Sequence, residues 1–396
     1  MFYGEPQARG SLNFKIKRSK FERLPFDVFK IVCYNADKYF LSVKKVINAK
    51  AIDLFCGAGG LTHGLQRAGI NVIAGYDIEA QCRYAYEKNN NAVFIQKSVT
   101  DLRVEEFERH YGDAEIRILA GCAPCQVFSS YNKKTREENQ KDERWSLLTS
   151  FGDHIKAVKP EIITMENVPR LVNQRVFHDF VDMLNEEGYQ VSFKVVYCPD
   201  YGMPQSRSRL VLLASRLGAI SLIDPTHDKD SYVTLRQAVG HLPAIAAGEA
   251  DECDSLHRAS MLSEINMQRI LASKPGGTWK DWPEHLIADC HKKSSGSSYS
   301  AVYGRMSWDK VSSTITTQCI GFGNGRFGHP EQHRAITLRE AAILQSFPCD
   351  YSFWPENLKL EMRPVARMIG NAVPVRLGEV VGQSIIAHLK EHKKSA

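Results

Sequence analysis

Between residues 49 and 215 the chain alternates between two hydrophobic periods. Short apolar runs that end at a glycine or an acid read as strands buried on both faces. Runs with apolar positions three and four apart read as amphipathic helices. In Ala51-Ile52-Asp53-Leu54-Phe55-Cys56-Gly57-Ala58-Gly59-Gly60 a short apolar strand enters a glycine-rich turn. Leu61, Leu65 and Ala68 then mark one helix face, closed by Gly69. Further strands are expected over 71–76, 93–96, 116–120 and 161–165, with a helix over 145–158 before the last of these. A helix over 177–184 follows, then a strand carrying Val191, Phe193, Val195 and Tyr197, and another over 210–214. Strands alternating with helices predict an α/β fold built on a doubly wound, largely parallel sheet.

From about 216 to 333 this rhythm fades. Pro225, Pro243, Pro275-Gly276-Gly277, the serine-rich run at 294–298 and the glycines of 321–328 predict a loop-rich second domain of short strands. Beyond it, the stretch from Thr337 to Pro348 starts a capped helix, and Gly370-Asn371-Ala372-Val373-Pro374 precedes a last amphipathic helix over 375–389. There are no internal repeats.

The chemistry collects where the strands end. In open α/β sheets ligands bind outside the carboxyl ends of the strands. After the strand over 116–120 comes Gly121-Cys122-Ala123-Pro124-Cys125-Gln126-Val127-Phe128-Ser129. Pro124 fixes its own φ and restricts its neighbours, so the loop can hold a thiol at the sheet edge, and Cys125 is a candidate nucleophile. Cys122 and Cys125 also form a C-x-x-C pair. No second such pair or close histidine pair accompanies them, so no metal site is expected. Glu166, at the end of a buried strand, is a candidate acid or base, since a carboxylate there is costly unless paired or functional. Arg207 and Arg209 share one face of an extended segment, suited to a phosphate or to bracing a catalytic carboxylate. The turn holding Gly57, Gly59 and Gly60, with Asp77 at the end of the next strand, makes a nucleotide half-site in which the acid takes a ribose diol. The pattern is not G-x-G-x-x-G, and no turn cradles a pyrophosphate. S-adenosylmethionine therefore fits better than NAD.

Composition changes this picture in two places. Ten cysteines without the paired spacing of a disulfide framework, no signal peptide and no long apolar run predict a reduced, cytoplasmic, soluble protein without a membrane segment. The net charge is +6, but residues 1–50 hold eleven Lys or Arg against four Asp or Glu. The excess is thus confined to an N-terminal extension, where Lys15, Lys17, Arg18, Lys20 and Arg23 alternate with Phe14, Phe21, Phe26 and Phe29. Such a segment suits a polyanion, or is simply solvated.

With these elements in order, the sequence resembles the bacterial type II DNA (cytosine-5) methyltransferases. DLFCGAGG at 53–60 is similar to their first motif, and PCQ at 124–126 with Phe128-Ser129 to their catalytic motif. ENV at 166–168, QSRSR at 205–209, RAITLREAAILQSFP at 334–348 and GNAVP at 370–374 resemble the remaining blocks, so the likeness spans roughly 50–386, excluding most of 216–310. It implies a Rossmann-like S-adenosylmethionine-dependent catalytic domain over 49–215 and 334–396, a small loop-rich target-recognition domain over 216–333, and a basic extension of unknown role over 1–48.

By this resemblance Cys125 is the nucleophile, Glu166 contacts the cytosine ring edge, and Arg209 with Arg207 supports that site. Phe55 stacks on the cofactor adenine, Asp77 binds the ribose, Ile78 lines the adenine pocket and Asn371 lies near the methionine moiety. Ser98 stands where many members carry an aspartate toward the adenine amino group, and Val127 where Pro or Gly is common. The implied reaction is methyl transfer from S-adenosylmethionine to C5 of a flipped cytosine in a specific double-stranded DNA sequence, through a covalent adduct between Cys125 and C6. The implied protein is a monomer that can work beside a cognate restriction endonuclease without a stable complex. Two rivals share these motifs, a tRNA cytosine-5 methyltransferase and a catalytically inactive DNA-binding regulator. Within 216–333, Asn324, Arg326 and the 321–328 run are the candidates for reading the target.

Overall fold

The computed structural model describes residues 48–124, 143–294, 296 and 298–395. The basic extension and the stretch from Cys125 to Ser130 therefore lie outside the described residues, apart from Asn48.

A seven-stranded sheet forms the centre. Its strands in chain order are β1 (Ala49–Leu54), β2 (Asn71–Asp77), β3 (Val93–Gln96), β4 (Ile116–Gly121), β5 (Ile162–Asn167), β6 (Gln190–Tyr197) and β8 (Ser208–Ser215), with the short β7 (Gln205–Ser206) outside it. The spatial order is β3-β2-β1-β4-β5-β8-β6. The first five strands pair in parallel, joined by crossings through α1 (Gly60–Arg67), α2 (Cys82–Asn89), α3 (Val104–Tyr111) and α4 (Glu143–Val158). After α5 (Arg175–Glu186) and β6, only a single 3-10 turn and β7 intervene before β8. That connection is too short for a parallel crossover, so β8 runs antiparallel to both β6 and β5. The strands over 71–77, 93–96, 116–121 and 162–167 fall where the hydrophobic pattern predicts them.

Alternate side chains leave each strand on opposite faces. On one face Ile52, Leu54, Leu119, Ile163, Met165 and Leu212 pack against α3, α4 and α5 through Phe107, Phe151 and Phe177. On the other, Ala51, Ile118, Ala120, Ile162, Val211 and Leu213 pack against α1 and the last helix. The sheet is thus doubly wound, as expected.

The second half of the chain continues through α6 (Leu235–Val239), α7 (Glu264–Ala272), α8 (Asp289–Lys292), the two-residue β9 (Ser312–Ser313), α9 (Leu338–Leu344), α10 (Met362–Asn371) and α11 (Val375–Ser395). No helix among the described residues is long and apolar enough to cross a membrane. Helix α11 lies on α1 at close range. A Cβ on Gly64 would come 2.3 Å from the Val375 carbonyl oxygen, and one on Gly60 2.2 Å from that of Val373. Over 216–333 the expected short strands are scarcer than expected. Short helices, turns and isolated bridges take their place, with β9 pairing in parallel with β7. A separate core of Ile270, Trp279, Trp282, Leu286, Phe322 and Ala335 supports them. Arg334, fully buried, forks onto Glu340 with contacts of 2.7 and 2.8 Å, and Glu340 also completes the Thr337 capping box of α9.

Candidate active site

The chain order reverses between β1 and β4, which opens a crevice outside their carboxyl ends. A cavity of about 380 Å³ lies there, between the loops after β1, β2, β4 and β5 and the C-terminal part of α10. Phe55, Gly57, Asp77, Ile78, Ser98, Glu166, Arg207, Arg209 and Asn371 all line it. Gly59 and Gly60 do not. Gly59, with φ of 89°, caps α1, and a Cβ there would come 2.5 Å from Asn90 Nδ2. Gly60 faces the main chain of Val373. These two glycines shape the turn rather than the cavity wall. Cys125 lies outside the described residues; Pro124 is the last wall residue before it.

At the β1–β2 end the wall suits a nucleoside. Phe55 holds φ at 62°, in the left-handed region that non-glycine residues seldom adopt, which marks a constrained position. Ile78 is 70% exposed at the rim, an apolar side chain with little of its own protein to cover it. Asp77 accepts the Gly57 N–H at 2.8 Å and the Glu79 N–H at 2.9 Å, each oxygen keeping a further lone pair. Burial raises its carboxyl above the usual range, against the pull of those two N–H groups. Ser98 caps a 3-10 turn, its hydroxyl 2.7 Å from that of Thr100.

Beneath this lies Asp53, which the sequence reading passed over. It is 1% exposed, accepts the Thr62 hydroxyl at 2.7 Å on Oδ2, and leaves Oδ1 buried without a hydrogen-bond partner. Burial pushes its carboxyl up to about 7, with the Thr62 bond opposing and the Asp77 charge adding. Neither Asp53 nor Asp77 has an ion-pair partner among the described residues, whereas the cavity's Lys97, Arg209 and Arg367 face Glu106, Glu166 and Glu79. The donor set at this end therefore favours a cationic ligand. The signal was available, since a carboxylate inside an apolar strand needs a reason to be there.

At the other end four side chains form a row. Asp53 is paired in register with Ala120, and Gly121 with Met165, so strand alternation turns Asp53, Cys122, Glu166 and Arg209 to the same face of the sheet. Glu166 is buried. Its Oε1 lies 2.7 Å from Arg209 Nε, an ion pair without the alignment of a hydrogen bond, and its Oε2 accepts the Cys122 thiol at 3.0 Å. Burial, and then the Glu166 charge, push the Cys122 thiol well above the usual range. Arg207 differs from its neighbour. It donates to the Ile315 carbonyl at 2.8 Å and the Gly370 carbonyl at 3.4 Å, tying the β7–β8 segment to α10, and burial lowers its guanidinium. Asn167, also missed, donates to the Ala123 carbonyl at 3.0 Å and so fastens β5 to the loop leading toward Cys125.

Among the 216–333 candidates, Asn324 is exposed, but Arg326 is half-buried with Nη1 on the Gly277 and Arg305 carbonyls at 2.6 and 3.3 Å.

Residues 49–387 match the family model described as C-5 cytosine-specific DNA methylase. The chain is 55% identical over 337 residues to the type II methylase M.HgiDII of Herpetosiphon aurantiacus, covering 84% of this chain and 94% of that one. It is 32% identical over 362 residues to the type II methyltransferase M1.HphI of Haemophilus parahaemolyticus, covering 88% and 90%. Among solved structures, a prophage-encoded Escherichia coli chain described as a DNA modification methyltransferase superposes with a TM-score of 0.66 at 21% identity. That match covers 86% of this chain and 99% of the other, and shows a shared fold.

Proposed function

We propose the following division of labour from the premise that the chain belongs to the C-5 cytosine-specific DNA methylase family. Its reaction is methylation of cytosine C5 in DNA, as a type II modification methylase, which sets aside the tRNA and inactive-regulator readings.

Cytosine C5 is too weak a nucleophile to take a methyl group unaided. The Cys125 thiolate adds to C6, and Glu166 passes a proton to N3, which leaves C5 enamine-like. Arg209 steadies the carboxylate that Glu166 then carries. C5 then accepts the methyl group, water takes the C5 proton as the C6–sulfur bond breaks to release the thiolate, and N3 returns its proton to Glu166, which resets the acid. Neither face of the base is open within a duplex, so the substrate is a double-stranded DNA whose cytosine is flipped into the cavity.

The donor in this reading is S-adenosylmethionine, which supplies, when bound, a methyl group activated by its sulfonium charge. Support comes from the two unpaired aspartates, the apolar rim at Ile78 and the strained Phe55. Asp77 would hold the ribose, Phe55 and Ile78 the adenine, Ser98 the adenine amino group and Asn371 the methionine end. Residues 216–333 are assigned to target reading, with exposed Asn324 the stronger base contact and Arg326 a shaper of its loop. The basic extension is assigned to sequence-independent phosphate contact. The protein acts as a monomer, beside any cognate endonuclease rather than in complex with it.

One observation carries this most directly, that the braced acid and the nucleoside wall open onto a single cavity. The test is a covalent trap. DNA containing 5-fluorocytosine, in which fluorine cannot leave as a proton does, should yield an adduct that peptide mapping assigns to Cys125. Cys125→Ser should abolish both adduct and turnover while retaining S-adenosylmethionine binding. An adduct on Cys122 would refute the assignment.

A further inference from the structure

We propose that Cys122 is a positioning residue of the methyl transfer, holding Glu166 by donating its thiol hydrogen to the carboxyl. The inference rests on the reading of Glu166 as the acid at the cytosine ring.

The strands bring the two groups together. Gly121 and Met165 are paired, so the residues that follow them, Cys122 and Glu166, emerge side by side on one face. The Sγ to Oε2 distance is 3.0 Å. The thiol has a firm base, because the Cys122 N–H donates to the Leu54 carbonyl at 3.2 Å and so ties the residue to β1. Arg209 faces the other carboxyl oxygen at 2.7 Å. Two anchors on two oxygens fix the plane of the carboxyl. With one anchor it can turn about its last bond, and a proton aimed at N3 is no longer held in line.

Chemistry separates this role from that of Cys125. A nucleophile must be a thiolate, whereas burial against the Glu166 carboxyl group keeps the Cys122 proton in place. That proton stays on sulfur throughout; the proton that moves is Glu166's own. Once Glu166 has given it to N3 it is a carboxylate, and a donor bonds a carboxylate more strongly than a carboxylic acid. The contact therefore tightens during the reaction, and its loss lowers kcat rather than raising KM. Simple packing predicts otherwise, since a filler beneath the loop would be served as well by alanine as by serine.

The experiment compares the full-length wild type with Cys122→Ala, Cys122→Ser, Glu166→Gln and the Cys122→Ala/Glu166→Gln double variant. Methyl incorporation into unmethylated plasmid gives kcat and KM, normalised to sites that bind S-adenosylmethionine by calorimetry, so that unfolded protein does not read as lost turnover. Cys122→Ala should lower kcat about tenfold, the size expected for a hydrogen bond to a charged group, with both KM values unchanged. Cys122→Ser, which restores a donor, should return to within about threefold of wild type. In the Glu166→Gln background Cys122→Ala should cost nothing further. Serine no better than alanine, or an undiminished loss in the double variant, would overturn the proposal while leaving Glu166 in its role. Near-normal turnover of Glu166→Gln itself would instead overturn the underlying reading.

Discussion

Asp53→Asn tests the electrostatics at the floor of the cavity. The carboxyl ionises near 3.8 when solvated, and burial raises it to about 7 in the folded protein. Between these values the native state holds a proton that the unfolded chain has released. Asp53 therefore costs nothing below about pH 4, and stability drains away as pH rises from there through about 7. A shift of about three pH units, at about 1.36 kcal/mol each, amounts to about 4 kcal/mol. Asparagine has the same shape, still accepts the Thr62 hydroxyl, and does not ionise. Its amide NH₂ takes the place of the unpartnered Oδ1, and a buried unpaired donor costs about 1–3 kcal/mol. The variant should thus be less stable than wild type near pH 4 and more stable near pH 8, the difference moving by about 4 kcal/mol between them. Urea unfolding of the cofactor-free protein across that range measures it. A difference that stays flat with pH would refute the account of Asp53 as a buried, unpaired carboxyl. Above about pH 7, where Asp53 carries its charge, the same variant should bind S-adenosylmethionine more weakly, having lost a negative charge beside a cationic ligand.

Three further outcomes follow from the geometry. Asp77→Ala should weaken S-adenosylmethionine binding by about 1–3 kcal/mol by calorimetry, and unchanged affinity would mean the acid serves only the Gly57 turn. Gly64→Ala puts a Cβ 2.3 Å from the Val375 oxygen, so the urea midpoint should fall by an amount equivalent to about 2 kcal/mol even after the gain in helix propensity, and an unchanged midpoint would show that α1 and α11 separate freely. Glu340→Gln leaves the fully buried Arg334 uncompensated and should cost about 3–5 kcal/mol in thermal unfolding; a loss below about 1 kcal/mol would mean that water reaches the guanidinium.

The sheet was legible because its strands are buried on both faces and their apolar runs stop at polar residues of the cavity wall, Asp77 and Glu166 among them. Thr337 announced the start of α9 just as clearly. Relations between strands were harder to read. That Cys122 meets Glu166 depends on the register of β4 against β5, which neither segment encodes alone. Arg207 and Arg209 are two residues apart and look equivalent, yet one is spent on the Ile315 and Gly370 carbonyls and the other on Glu166. Arg326 looked like a free groove-reading cation until its bonds to Gly277 and Arg305 were seen. Over 216–333 glycines and prolines signal turns, but whether turns join strands or short helices is settled by long-range packing.

The cavity wall begins at Asp53 and ends at Val373, and the α11 helix that backs it follows immediately. During synthesis, then, the ribosome must add about 320 residues after β1 before the pocket can close, which takes roughly 16–64 s at 5–20 residues per second. Through that interval β1 and α1 await a partner that has not been made, and their apolar face is open to chaperones. A chain cut short by proteolysis or a premature stop would keep its Cys125 thiol and lack the pocket's last wall. Competence to methylate thus arrives late and all at once, when the segment through Val373 has joined the one that begins at Asp53.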